Sequence, residues 1–205
     1  MKHPLLLALL LSLVTATSAY AVEGNQSTAQ PSGSAQANPL HFLLGAGVTG
    51  GGDKVATAIY TDGSTKSVNG GGLWLLHAGV EYRVNDVFSA QGSLGYHVDQ
   101  VTGSNGDITF GRFPLEFMGY YHINDQFRLG GGARFVNGAK VKGSGVVSNI
   151  NASFDNAVGM VIEGEYMTSP KIGVKARYVK EEYQLSGTPV KYDGSHFGLL
   201  ANVYF

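Results

Sequence analysis

LWLLHAGVEYRVNDVFSAQGSLGYHVD, residues 73–99, decides how the rest of the chain is read. Before Asn85-Asp86 the large apolar groups fall on every second position. Trp74, Leu76, Ala78, Val80 and Tyr82 stand on one face, and Leu75, His77, Gly79, Glu81 and Arg83 on the other. After the Asn-Asp pair, Phe88, Ala90, Gly92, Leu94, Tyr96 and Val98 alternate with Ser89, Gln91, Ser93, Gly95, His97 and Asp99. A period of two marks a strand with two unlike faces. Asn-Asp suits a tight turn, because both side chains can bond nearby backbone and both tolerate positive φ. The stretch is a β-hairpin with one apolar and one polar face.

The same pattern recurs outward from it. Phe113, Leu115, Phe117, Gly119 and Tyr121 oppose Pro114, Glu116, Met118, Tyr120 and His122. Past a second Asn-Asp turn, HINDQF (122–127), Phe127, Leu129, Gly131, Ala133 and Phe135 oppose Arg128, Gly130, Gly132 and Arg134. The stretch 158–166 carries Glu163 and Glu165 on its polar face, and 172–178 carries Lys175 and Arg177. With 42–48 at the start and FGLLANVYF (197–205) at the end, eight strands are predicted. Short turns at 83–88, 122–127 and 168–171 alternate with long connections at 49–71, 99–107, 137–153 and 181–195. Strict alternation puts every short turn at one end of the strands.

Composition narrows the function classes. The net charge of −1 supplies no basic face to neutralise phosphates, so nucleic acid is not an expected partner. The absence of cysteine removes disulfides, thiolate catalysis and cysteine zinc sites. MKHPLLLALLLSLVTATSAYA has a basic start at Lys2, an apolar run from Leu5 to Val14 and a small-x-small cleavage site at Ala19-Tyr20-Ala21. Residues 1–21 are therefore expected to be a secretory signal peptide; the run is far short of the roughly twenty residues a spanning helix needs. Residues 22–39, rich in Ser, Gln, Ala, Gly and Pro, are expected to form a flexible segment. Residues 40–205 hold the strands.

Two architectures accept such strands: a soluble barrel or sandwich with its apolar face inward, and a membrane barrel with that face outward to lipid. On a soluble barrel the mid-strand charges would form a solvated exterior. The aromatics at strand ends favour the membrane: Tyr82, Phe88, Tyr96, Phe113, Tyr121, Phe127, Phe135, Tyr166, Tyr178 and Phe205 are placed as interface girdles require. An even strand number and strands of about ten residues fit as well.

AGVEYRVNDVFSAQGSLGYHVD (78–99) and its echo MGYYHINDQFRLGGGARF (118–135) resemble the hairpins of small outer-membrane β-barrel proteins of the OmpX/Ail and OmpA membrane-domain kind. The resemblance implies an all-β fold, an eight-stranded antiparallel up-and-down transmembrane β-barrel. It also implies a Gram-negative outer membrane, periplasmic termini, external long loops and outer-membrane lipid as surroundings. In that family a C-terminal aromatic strand, here ending in Tyr204 and Phe205, is read by the outer-membrane assembly machinery.

The polar faces supply the candidate site. An eight-stranded lumen is just wide enough for side chains to fill. His77, Glu81, Arg83, Glu116, Arg128, Arg134, Glu163, Glu165, Lys175 and Arg177 are expected to form a polar network there, since charges withdrawn from water must pair. A narrow pore for small solutes is the alternative, because inward glycines such as Gly79, Gly130 and Gly132 leave room for water. A lipid A-modifying enzyme is a third reading, and Asp193, Ser195, His196, His97 and Asp99 fall at the long-loop end. Adjacent Ser195 and His196 point to opposite faces of a regular strand, however, and no His-x-Ser occurs. No catalytic site, cofactor or metal site is expected. The long connections, with Asp53, Lys54, Tyr60, Asp62, Lys66, Lys140, Lys142, Lys191 and Tyr192, have the composition of solvated loops. The expected role is structural or surface interaction through them, with an unnamed extracellular ligand.

Overall fold

The computed structural model describes residues 39–205. The expected signal peptide, and the expected flexible segment up to residue 38, lie outside the described residues. Thirteen strands follow in chain order: β1 (Leu40–Gly51), β2 (Lys54–Ile59), β3 (Thr65–Asn69), β4 (Leu73–Arg83), β5 (Phe88–Thr102), β6 (Asp107–His122), β7 (Phe127–Gly143), β8 (Asn151–Ser153), β9 (Ala157–Ser169), β10 (Ile172–Lys180), β11 (Glu182–Gln184), β12 (Lys191–Asp193) and β13 (His196–Tyr204). Eight of them close a ring in the order β1, β4, β5, β6, β7, β9, β10, β13, every neighbour antiparallel. The closing seam pairs Leu43 with Tyr204 and runs to Gly51 with His196. Closure leaves no free edge in a medium that offers no hydrogen bonds.

The two Asn-Asp turns are built alike. Asn85 Oδ1 accepts from the backbone N–H of Val87 and Phe88, both at 2.8 Å. Asn124 Oδ1 accepts from Gln126 at 2.9 Å and Phe127 at 2.8 Å. Each asparagine replaces the partners its turn's N–H groups lose on leaving the ladder.

The ring is inverted relative to a soluble barrel. Leu94 is 60% exposed, Ile162 63% and Phe197 70%, while Arg134, Lys175 and Glu165 inside are 0–1% exposed. So continuous an apolar exterior in water would be an aggregation surface; against lipid it is the stabilised arrangement. Outward aromatics gather at two levels. Tyr82, Phe88, Tyr121, Phe127 and Tyr166 lie at the short-turn end, and Trp74, Tyr96, Phe113, Phe135, Tyr178 and Phe197 at the other.

Toward the long-loop end the strands continue past the upper aromatics. β5, β6 and β7 run 15, 16 and 17 residues, against the roughly 9–11 that span a bilayer. Beyond the membrane level the faces exchange chemistry: Ile108, Phe110, Val136, Ala139 and Val141 turn inward and are buried. The hairpins β2–β3 and β11–β12 fold over them, with β8 added to the edge of β7. Val55, Ala58, Tyr60, Val68, Val147, Phe154 and Tyr183 complete this cluster. The connections expected as solvated loops are thus largely a packed head, because outside the bilayer burial again favours apolar groups inward.

Candidate functional site

Alternation aims one residue in two into the lumen, and the register sets opposite charges side by side. Arg128 stands opposite Glu165 and Arg134 opposite Glu116. Lys175 lies opposite Glu165 and Arg177 opposite Glu163. Nearest the short turns, Arg128 Nη1 donates to Glu81 Oε1 at 2.7 Å and Nε to Glu165 Oε2 at 2.8 Å. Tyr204 accepts from Arg128 Nη2 at 2.6 Å and donates to Glu165 Oε1 at 2.7 Å. The Arg128 guanidinium also lies 4.3 Å from the Tyr120 ring centre.

One layer higher, Lys175 Nζ lies 2.8 Å from Glu163 Oε1 and 2.5 Å from the Tyr120 hydroxyl, which in turn donates to Glu163. Arg177 Nε is 3.2 Å from Glu163 Oε2, close enough to pair charge though off the line of a hydrogen bond. Arg177 Nη2 donates to Glu116 Oε2 at 2.8 Å, and Arg134 Nη1 to Glu116 Oε1 at 2.6 Å. Arg134 Nε then donates to Glu181 Oε2 at 2.8 Å. The result is one ladder of alternating sign: Glu81, Arg128, Glu165, Lys175, Glu163, Arg177, Glu116, Arg134, Glu181. Each charge is desolvated, and its neighbours of opposite sign compensate it.

His77 sits beside this ladder, its Nε2 3.0 Å from the Asn202 amide. With the amide turned so that nitrogen donates to His77, its oxygen accepts from Lys175 Nζ at 3.2 Å. Only a glycine fits opposite: a Cβ at position 45 would stand 2.1 Å from both His77 Nε2 and Asn202 Oδ1. Arg83 departs from the expected network. It donates to the carbonyls of Asn85 and Asp86 at 3.3 and 3.1 Å, so it braces the first short turn instead of entering the ladder. Arg83 lines a cavity of about 400 Å³ at the short-turn mouth, with His41, His122 and Asp125 at its rim and Arg128 and Tyr204 at its inner wall.

At the other end the structure adds residues absent from the predicted network. Arg112, fully buried, donates to the Gly72 carbonyl at 3.0 Å and lies 4.6 Å from the centre of the Phe110 ring, which faces the cation with its π electrons. Its signal was present: the inward parity of Pro114 and Glu116 continues backward through Arg112 to Phe110 and Ile108. Glu181 accepts from Tyr183 at 2.6 Å, and burial holds that phenol above its ordinary pKa, as a neutral donor.

His97, Glu181 and His196, far apart in sequence, bring ligand atoms within 4.8 Å of one another. These are zinc-binding residue types. Yet Arg134 Nη2 lies 2.9 Å from His97 Nδ1, and Arg112 Nη2 and Thr49 Oγ1 lie 3.1 and 2.7 Å from Nε2. Both Glu181 oxygens are taken as well. Two guanidiniums beside engaged ligand atoms repel a divalent cation, so this knot continues the ion ladder. Ser195 and His196 point apart: the imidazole is buried and 2.8 Å from the Gly194 carbonyl, and Ser195 is on the outward parity. No nucleophile–base pair forms between them.

A closed ring of eight antiparallel strands, apolar outside, ion-paired within and ringed by aromatics at two levels, is a transmembrane barrel of the bacterial outer membrane. The chain belongs to the outer membrane protein beta-barrel domain family, which it matches over residues 6–205. Among solved structures it is similar to Ail, the attachment invasion locus protein of Yersinia pestis, in complex with the heparin analogue sucrose octasulfate. That likeness has 18% identity and a TM-score of 0.50, and covers 81% of this chain and 99% of that one. Neisserial surface protein A is similar at 11% identity and a TM-score of 0.50, over 82% of this chain and 97% of that one. Both likenesses concern the fold. No curated protein matches the sequence. In this family's architecture the short turns face the periplasm and the long connections face outward.

Proposed function

We propose that this protein is a surface-interaction barrel: a plugged membrane anchor that presents a rigid head outside the cell. The observation that carries this reading is the cluster of Phe110, Phe154 and Tyr183 beneath the two outer hairpins, with ring centres 5.5 to 6.2 Å apart. A loop set packed on its own core holds its exposed residues in fixed positions, which is what recognition by a scaffold needs. The lumen ladder fits an anchor better than a conduit, since a solute crossing it would have to break several buried ion pairs. The Ail fold, crystallised with a heparin analogue, suggests a sulfated polysaccharide as the first probe.

The test compares cells displaying the whole chain with cells in which 54–69 and 182–193 are each replaced by a short Gly-Ser turn. Heparin-coated surfaces should retain the first and release the second, while heat-dependent gel mobility shows both barrels folded. Equal retention would sink the adhesive reading. Steady unitary currents in planar bilayers, changed by Glu81→Gln, would instead favour a pore.

A further inference from the structure

On the outer wall of β5, β6 and β7 the surface changes chemistry abruptly at the external end. Tyr96 and Phe113, ring centres 5.1 Å apart, belong to the upper aromatic girdle. Immediately beyond them Gly111 pairs with Lys140 and Thr109 with Lys142, and both lysines project outward, exposed. The register shift between Gly111 and Phe113 absorbs an extra residue at Gly138, whose φ of +64° favours glycine. The wall carries no side chain at Gly111 or Gly138. A Cβ there would stand 3.1 Å from the Tyr96 hydroxyl or 3.6 Å from Phe113 Cδ2. The recess so formed measures about 230 Å³, with the two rings at its foot and Lys140 and Lys142 at its head.

The two ammonium groups are uncompensated. Among the described residues neither forms an ion pair, whereas Lys191 on the head pairs with Glu182 at 2.8 Å and Lys66 bonds the Thr102 carbonyl at 2.5 Å. Asp107, one pair further from the membrane on the outward parity of β6, is the acid nearest along that strand. Lysine stems can lie along the apolar wall while their heads stay at the polar boundary. Lysine is also a compact point charge, and it binds phosphate as one.

We propose that this recess binds a phosphate-bearing glycolipid of the outer leaflet. The lipid's apolar part rests on Tyr96 and Phe113, and Lys140 and Lys142 take its phosphate. Depth, polarity and sign agree: an apolar floor within the membrane, and paired cations where anionic headgroups lie. The inference depends on the barrel's place in the outer membrane and is independent of the adhesive reading.

Native mass spectrometry of the detergent-solubilised full chain with added diphosphoryl lipid A tests it. One lipid should remain bound, and K140Q/K142Q should weaken retention by about tenfold or more. Lys191→Gln is the control, because Lys191 is also an exposed lysine of the external end but is already paired with Glu182 at 2.8 Å; it should retain the lipid as the parent does. Heat-dependent gel mobility keeps an unfolded variant from being read as a binding defect. Any of the following would overturn the proposal: unchanged retention in the double variant, an equal loss in Lys191→Gln, equal binding of dephosphorylated lipid A, or equal binding of phosphatidylglycerol. Displacement by millimolar inorganic phosphate would mark a free-phosphate site instead and would also overturn it.

Discussion

Arg128 on β7 reaches across the lumen to Glu81 on β4, two strands that are not neighbours in the ring, and closes an ion pair at 2.7 Å. Strand pairing alone fixes each strand to its two neighbours. This contact ties opposite walls and stands at the periplasmic foot of the ladder.

Breaking it leaves a desolvated charge without its partner. Arg128→Ala should destabilise the barrel by about 3–5 kcal/mol, and Glu81→Gln by less, since Glu165 and Tyr204 still hold the guanidinium. Urea titration in lipid vesicles, followed by gel mobility, measures both. Equal stability of Arg128→Ala and the parent would mean that the ladder contributes nothing net.

Phe110 is wholly buried in the external head and stacks edge-on with Phe154 and Tyr183. Phe110→Ala should cost about 3–5 kcal/mol locally. Because this packing lies beyond the membrane, the loss should appear as faster hydrogen exchange over 54–69 and 182–193 with the barrel strands still protected. Uniform loss of protection would show that head and barrel unfold as one unit.

Asp193 carries the pH prediction. Hydrogen bonds from Ser195 hold its carboxyl below the ordinary aspartate value, the backbone N–H at 2.9 Å being one of them. A lowered folded pKa means this contribution to head stability is present above the ordinary carboxylate range and is lost as pH falls through the folded value. A carbon-detected NMR titration should place the Asp193 midpoint below about 3.9, and Ser195→Ala should raise it. A midpoint unmoved by Ser195→Ala would refute the assignment of cause.

Phe205 makes one backbone contact, its N–H donating to the Phe42 carbonyl at 2.9 Å, and its ring is 63% exposed toward lipid. The structural loss on deletion is therefore small, and we propose that this aromatic end serves instead as an assembly signal, as the resemblance to small outer-membrane barrels implies. Deletion should lower the amount of folded protein in the outer membrane severalfold, with little change in the unfolding midpoint of the fraction that assembles. A proportionate fall in both would assign Phe205 a purely structural role.

The alternation that begins in 73–99 and recurs from 42 to 205 sufficed for the eight barrel strands, the tight turns and the parity of every ladder residue from Glu81 to Arg177. A period of two is a local property, and membrane strands obey it throughout the bilayer. The limits of the strands were less legible. In β6, Ile108 and Phe110 share the inward parity of Arg112 and Glu116 but have the opposite polarity. Such a reversal reads as the end of a strand, whereas it marks the exit from lipid into water, where the same inward face must become apolar.

Which partners meet was decided only by closure of the ring. Parity sent Arg83 inward with the rest, but its place at the first turn gave it two nearby carbonyls and kept it off the ladder. Glu81 finding Arg128, His97 meeting His196 with rings 5.0 Å apart, and Lys140 and Lys142 rising beside Tyr96 and Phe113 all depend on how strands remote in sequence are set around the barrel. The sequence by itself determined which face each side chain takes, because that follows from backbone geometry. The tertiary structure decided whom it meets, because that follows from the register and curvature of a closed sheet.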